Sequence, residues 1–282
     1  VVVINKNQLT DNLVQELAGK TCAILVRENY GRDFGGYQTG IAYLIASCVM
    51  EELEKLILLN DSVIFPANFS RFLDTVNKSM ANWGCSYLNY EYHLHAQSFF
   101  TWYSENITKS LPFREFWNKY KPYSSRKYAI VKGEVELTSQ LVKAGFLPEP
   151  TLNSQSLASI LRRIGSKIDV NWILSSWLAY GHALDEILKY SVKTHQTQFQ
   201  RCLVEQNPSH RLGLIGTEFL GLPLKRDLFK AGFATLDGIT RCLTRTGMSY
   251  HEVRKIELSL ELRGSNNTAT KMERLQRQFG LY

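Results

Sequence analysis

What the chain lacks narrows its class. Its five cysteines, Cys22, Cys48, Cys85, Cys202 and Cys242, are odd in number and scattered, with no Cys-x-x-Cys pair. That spacing suits neither a disulfide framework nor a thiolate zinc site, and it points to a reducing compartment. No basic-then-apolar leader opens the sequence, and the longest apolar run, residues 41–50, is too short for a bilayer, which takes about 20 residues. These absences predict a cytoplasmic protein, nucleoid-associated if bacterial, with no membrane contact. Walker, dinucleotide, nucleophile-elbow and zinc signatures are missing as well, and no acidic cluster suggests two-metal chemistry. No catalytic residue, cofactor or metal is therefore assigned. His93 and His95 sit two apart beside Glu91, but a third ligand would have to come from elsewhere, and on a helix the rings would diverge by about 200°.

The composition is that of a folded protein. A length of 282 residues, 44% of them apolar, allows one large or two ordinary domains with their own cores. The net charge of +7 is unevenly spread: beyond Pro208, twelve Lys or Arg face seven Asp or Glu. Positive charge attracts polyanions by releasing their counterions, which makes double-stranded DNA the first partner to consider.

Periodicity predicts mostly helix. Thr10 and Asp11 cap a helical pattern through Leu13 and Leu17, and residues 21–26 read as a short buried run. The glycine-rich stretch 27–37 is expected to be a connecting loop. Its Asp33-Phe34-Gly35 triplet lacks the companion kinase motifs. Residues 40–59 read as one long buried helix, and residues 65–117 as an aromatic, helical core. A basic loop comes next, in which Lys119, Lys121, Arg126 and Lys127 alternate with tyrosines and could meet phosphates. The expected architecture is mainly α: a helical, aromatic-rich interaction domain at 1–136, a helical region at 137–207, and a C-terminal module at 208–282 beyond the breaker Gln206-Asn207-Pro208-Ser209.

Residues 221–264 are the most legible stretch. Three amphipathic pieces are separated by glycine turns. Gly232 and Gly247 suit left-handed C-caps, and Ser249 with Glu252 forms a Ser-x-x-Glu capping box. The run Ala231-Gly232-Phe233-Ala234-Thr235-Leu236-Asp237, then Gly247, Ser249-Tyr250-His251-Glu252-Val253, Leu258, Leu262 and Gly264 resembles the C-terminal domain of the bacterial RNA polymerase alpha subunit. Where that family has a lysine pair after the hairpin glycine, this chain has Met248. The resemblance implies a helix-hairpin-helix-like fold that binds the DNA minor groove and docks regulators, with Arg226, Lys230, Arg245, Gly247, Ser249, Arg254 and Lys255 against the backbone. A possible degenerate repeat, Leu141 to Phe146 against Leu228 to Phe233, adds a second turn at Arg162, Arg163, Gly165, Ser166 and Lys167.

The expected function is accordingly that of a DNA-binding transcription factor. An adaptor holding RNA polymerase or another regulator is the alternative, and an accessory subunit of a DNA-processing system is the third reading.

Overall fold

A computed structural model describes residues 1–5, 11–163 and 200–264. In chain order the elements are β1 (Val2–Asn5), α1 (Asp11–Leu17), β2 (Ile24–Arg27), α2 (Arg32–Ala46), β3 (Lys55–Leu59), β4 (Val63–Ile64), α3 (Phe69–Lys78) and β5 (Trp83–Cys85). Next come β6 (Leu88–Asn89), β7 (His95–Ala96), β8 (Phe100–Ser104), α4 (Glu105–Thr108), α5 (Leu111–Lys119), α6 (Arg126–Tyr128), a π-helical segment (Ala129–Val135), α7 (Glu136–Lys143), β9 (Glu149–Pro150) and α8 (Ser154–Arg163). The C-terminal part holds α9 (Pro208–Arg211), α10 (Gly213–Leu220), β10 (Leu224–Lys225), α11 (Asp227–Lys230), α12 (Leu236–Arg245) and α13 (Tyr250–Arg263).

The centre is a four-stranded sheet of order β3-β8-β5-β9, antiparallel except for the last pair. Side chains alternate across a strand, so each strand feeds two cores. On one face Leu56, Leu58, Trp83, Cys85 and Tyr103 pack against Phe34, Ile41 and Leu44 of α2, Phe113 and Trp117 of α5, and Leu141 of α7. On the other face Ile57, Phe100 and Trp102 meet Phe72 and Val76 of α3, Leu157 and Ile160 of α8, and Ile215 of α10. A parallel pair, β1 with β2, lies beside α2. The fold is mixed α/β, which corrects the mainly helical expectation. The strands of the sheet are short, and the central ones, β8 and β5, are buried on both faces, so they show no polar alternation in sequence.

Three local expectations are corrected with it. Residues 32–37, read as a loop, are the first turns of α2. The single helix expected over 40–59 is instead the end of α2, a 3₁₀ turn at Val49–Glu52 and strand β3. The aromatic segment 83–104 contributes strands rather than helix.

A third core gathers Leu214, Leu224, Leu228, Ile239, Leu243, Val253 and Leu260, and it includes Ile64 from β4. Strand β10 pairs antiparallel with β4, matching Leu224 to Ile64 and Lys225 to Val63. Asn207, in the expected breaker, donates to Glu91 at 3.1 Å and accepts from Gln97 at 3.0 Å. The cap chemistry of the C-terminal hairpin holds as read: Gly247 has φ 93°, and Ser249 and Glu252 form the capping box. These features close any tight helical hairpin and are not particular to a helix-hairpin-helix module, which is why the polymerase-like resemblance misleads. Gly165, Ser166 and Lys167, three of the five residues of the proposed repeat turn, lie outside the described residues.

Candidate active site

Ligands of α/β folds bind where strands end at their carboxyl edge, because backbone and loop groups are free there. Several such ends meet in this molecule. At the tip of β2 the Arg27 Nη1 donates to Asn5 Oδ1, at the tip of β1, across 2.8 Å. Burial holds the Arg27 guanidinium below its ordinary value. The chain then turns through Gly31 (φ 79°) and Arg32 (φ 52°) into α2. Gly31 is required there: besides its positive φ, a Cβ would strike Pro122, and its N–H donates to Ser124 Oγ at 3.0 Å. Arg32 sits in a backbone region that costs about 1 kcal/mol or more for a residue other than glycine, the kind of strain that surrounding structure holds in place at working sites.

The next residue is Asp33. Its Oδ2 accepts from Asn60 Nδ2 at 2.8 Å, which ties the first turn of α2 to the end of β3. Burial raises the Asp33 carboxyl above its ordinary value. Arg32 and the Asn60 bond pull it down, while Glu134 and Asp61 push it further up. Asp33, Asp61 and Glu134 come from three separate segments and share one electrostatic neighbourhood.

Glu134 is delivered by the π-helical segment 129–135. A π turn adds a residue to the helical repeat and re-aims the side chains beyond it, and such turns concentrate at functional sites. Glu134 Oε1 accepts from the Ser98 N–H at 2.7 Å, and Oε2 lies 3.6 Å from His95 Nε2. Gly133 lies directly against Phe34, where a Cβ would come within 2.7 Å of the ring. Phe34 in turn stacks on Trp117, with centroids 5.6 Å apart. Tyr37, one turn along α2, donates its hydroxyl to the Ser98 carbonyl at 2.8 Å. Burial first, then Asp33, Tyr103 and Glu134, push that phenol well above its usual range. Beneath these groups is a cavity of about 10 Å³, bounded by Tyr37, Ser98, Thr101, Glu134 and Thr138, enough for about one water molecule.

Two basic residues lie at and directly after β10. Lys225 Nζ lies 5.2 Å above the ring of Phe99, next to Ser98, and the Arg226 N–H donates to the Ser62 carbonyl at 2.9 Å, next to Asp61. Arg126 and Lys225 both bear on Asp227 and His210. Burial opposes the charge on Asp227, but Lys225, His210 and Arg126 outweigh it and hold the carboxyl well below the ordinary range. Among the described residues no group of three His, Cys, Asp or Glu is arranged to hold a metal ion.

The residues singled out in sequence fall elsewhere or play other parts. Arg226 Nε donates to the Val63 carbonyl at 3.0 Å. Arg245 pairs with Glu218 at 2.6 Å, and Arg254 with Glu257 on its own helix at 2.5 Å. Lys230 ends α11 half-buried, Lys255 is exposed on α13, and Arg162 and Arg163 close α8. Lys119 pairs with Glu115 at 2.9 Å. Lys121, Arg126 and Lys127 are exposed, and of this loop Arg126 bears on Asp227 and His210. In sequence Asp33 and Asp61 stand out only as a loop residue and a helix stop, and Glu134 not at all. The available signal is the polar triplet Asn60-Asp61-Ser62 directly after the apolar run of β3.

An α/β protein in which carboxylates from α2, the turn after β3 and the π-helical segment share one neighbourhood is the class this geometry defines. Residues 1–173 match the family model RgpF, rhamnan synthesis protein F, and the chain belongs to that family. It is also 28% identical over 151 residues to the uncharacterized protein y4gN of Sinorhizobium fredii, covering 52% of this chain and 39% of that protein. It is 30% identical over 74 residues to the virulence protein VirA of Vibrio anguillarum, covering 26% of this chain and 24% of that protein. The chain thus spans less than half the length of these curated relatives. No solved structure matches. The family overturns the reading as a DNA-binding transcription factor and with it the adaptor and DNA-processing alternatives. The physical reason is visible in the hairpin, where Arg226, Arg245 and Arg254 are engaged by Val63, Glu218 and Glu257. Among the described residues no helix is long and apolar enough to cross a membrane.

Proposed function

We propose that this chain carries a glycosyl-transfer site used in building a rhamnan, a polymer of rhamnose. The observation that carries the reading is the shared neighbourhood of Asp33 on α2, Asp61 after β3 and Glu134 on the π-helical segment, in a chain of the rhamnan synthesis protein F family. Transfer of an activated sugar forms a bond from an acceptor hydroxyl oxygen to the anomeric carbon. It breaks the bond from that carbon to the phosphate leaving group, which keeps the electron pair. The hydroxyl proton needs a base. Glu134 suits that part, since its Oε1 is fixed by the Ser98 N–H and so holds its orientation. Asp33 and Asn60, locked together, offer an acceptor and an amide for sugar hydroxyls. Arg27 and Arg32, at the entry to α2, supply positive charge for the departing phosphate.

The sequence carries no contiguous catalytic signature because these groups are contributed one at a time by distant segments. The test is an assay of the full chain with a radiolabelled nucleoside-diphosphate rhamnose and a rhamnose oligosaccharide, beside the folded variants Glu134→Gln and Asp33→Asn. Transfer that falls at least about 100-fold in Glu134→Gln is expected, the lower range for loss of a positioned base. Transfer at wild-type rate in both variants, or no binding of the donor by calorimetry, would overturn the reading.

A further inference from the structure

His95 is buried, with 2% of its side chain exposed, and its two ring nitrogens have different partners. Nδ1 lies 2.7 Å from the carbonyl oxygen of His93. A carbonyl only accepts, so Nδ1 carries the hydrogen of that bond. In the neutral ring the lone pair then belongs to Nε2, and Nε2 faces Glu134 Oε2 at 3.6 Å. Two acceptors thus look at each other across a gap longer than a hydrogen bond. One proton placed between them would turn this arrangement into a bond. The other Glu134 oxygen is already taken by the Ser98 N–H at 2.7 Å.

We propose that His95 is a positioning residue that shares with Glu134 the proton this carboxylate takes up, with the proton held between Oε2 and Nε2. The role in transfer rests on the proposed glycosyl-transfer site; the shared proton does not. In the transfer step the acceptor O–H bond breaks, the proton passes to Glu134 and is held against the imidazole, and the charge left on the pair is that of an imidazolium beside a carboxylate. The groups that bear on Glu134 from the packed elements are Asp33 and Tyr37 on α2, Cys85 on β5 and Tyr103 on β8. None of them offers a second basic nitrogen. Among the described residues His95 is the imidazole placed against this carboxylate. The backbone bond to His93 prevents the ring from turning the wrong nitrogen to it.

The experiment reads the ring directly. The full chain, labelled with ¹⁵N-histidine, is observed by long-range proton–nitrogen correlation at one fixed, near-neutral pH, with His95 assigned by its loss in His95→Gln. The expected result is hydrogen on Nδ1 and an Nε2 signal that changes in Glu134→Gln. Hydrogen on Nε2 with Nδ1 bare, or an Nε2 signal that ignores Glu134→Gln, would overturn the proposal. Should His95→Gln fail to fold, assignment proceeds by elimination through His93→Gln, His182→Gln, His195→Gln, His210→Gln and His251→Gln, and the Glu134→Gln comparison still decides. If the transfer assay is active, His95→Gln should lower kcat with KM nearly unchanged and displace the pH profile of kcat. An unaltered profile would count against the role. An inactive assay with the expected nitrogen signals would sink the transfer reading and leave the shared proton standing.

Discussion

Asn60 donates to Asp33 at 2.8 Å and in doing so clamps the end of β3 to the first turn of α2. The bond stabilises a carboxylate that its surroundings otherwise penalise, by burial and by Glu134 and Asp61. Because the folded carboxyl is raised above its unfolded value of 3.8, the folded state binds the proton more tightly. The stability that Asp33 contributes is therefore fully present below 3.8 and is lost as pH rises through the folded value, so ionised Asp33 costs stability at neutral pH. Asp33→Asn keeps the shape and removes the charge. It should raise stability by about 1 kcal/mol while removing donor binding, the usual trade at a working site. Urea denaturation beside donor calorimetry checks it, and a destabilised variant contradicts the argument.

A second prediction concerns His210. Its ring stacks on Phe233 with centroids 4.3 Å apart and lies 3.8 Å from Asp227, and burial lowers it below its ordinary value despite that carboxylate. Here the unfolded ring takes the proton first. Stability should fall as pH drops below about 6.5, the unfolded value. Asp227, held low, contributes stability above its unfolded value of 3.8 that is lost only in stronger acid, so the interval from pH 7 to 5 isolates the histidine. The melting temperature of His210→Gln should decline less over that interval than that of wild type. Parallel declines would show that His210 does not carry the effect.

Packing at the π-helical segment gives a third. Gly133 has no room for a Cβ, because the ring of Phe34 is held by Trp117, Phe116 and Tyr120. Gly133→Ala should cost about 1–3 kcal/mol as overpacking. Relief by shifting the segment would also move Glu134, so transfer should fall further than the loss of folded protein explains. Chemical denaturation with kcat per folded molecule separates the two. A variant of native stability would mean that Phe34 yields.

The parts of the fold legible in sequence were those written in local chemistry. Thr235 accepts from the Gly238 N–H, Ser249 caps α13, and Gly247 has positive φ. Each is set by neighbours three or four residues away. The sheet was illegible because strands such as Phe100–Ser104, whose aromatic residues face two cores, resemble one turn of a buried helix. The site was less legible still. Asp33, Asp61 and Glu134 are ordinary acids in their own segments, and only the sheet and the π turn bring them together. The same limit explains the hairpin. Its arginines look free in sequence, yet Arg245 is claimed by Glu218, 27 positions away.

That pair supports the last prediction, which separates structural charge from functional charge. Arg245 Nε lies 2.6 Å from Glu218 Oε1, with the acid only 7% exposed and the base 45%. Arg245→Ala would leave a buried carboxylate without this partner, a loss of about 1–3 kcal/mol. Lys255, exposed on α13, bears on Glu252, which is itself exposed, and Lys255→Ala should stay within about 0.5 kcal/mol of wild type. Because the cost in Arg245→Ala falls on a buried acid that has lost this ion pair, adding Glu218→Gln should recover part of it. Neither position belongs to the group of Asp33, Asp61 and Glu134, so the folded variants should bind the sugar donor as wild type does. Guanidinium midpoints at constant slope and donor calorimetry measure both halves. Equal destabilisation by Arg245→Ala and Lys255→Ala would show that the Glu218 pair contributes nothing of its own. Loss of donor binding in a fully folded Arg245→Ala would place this hairpin in the site after all.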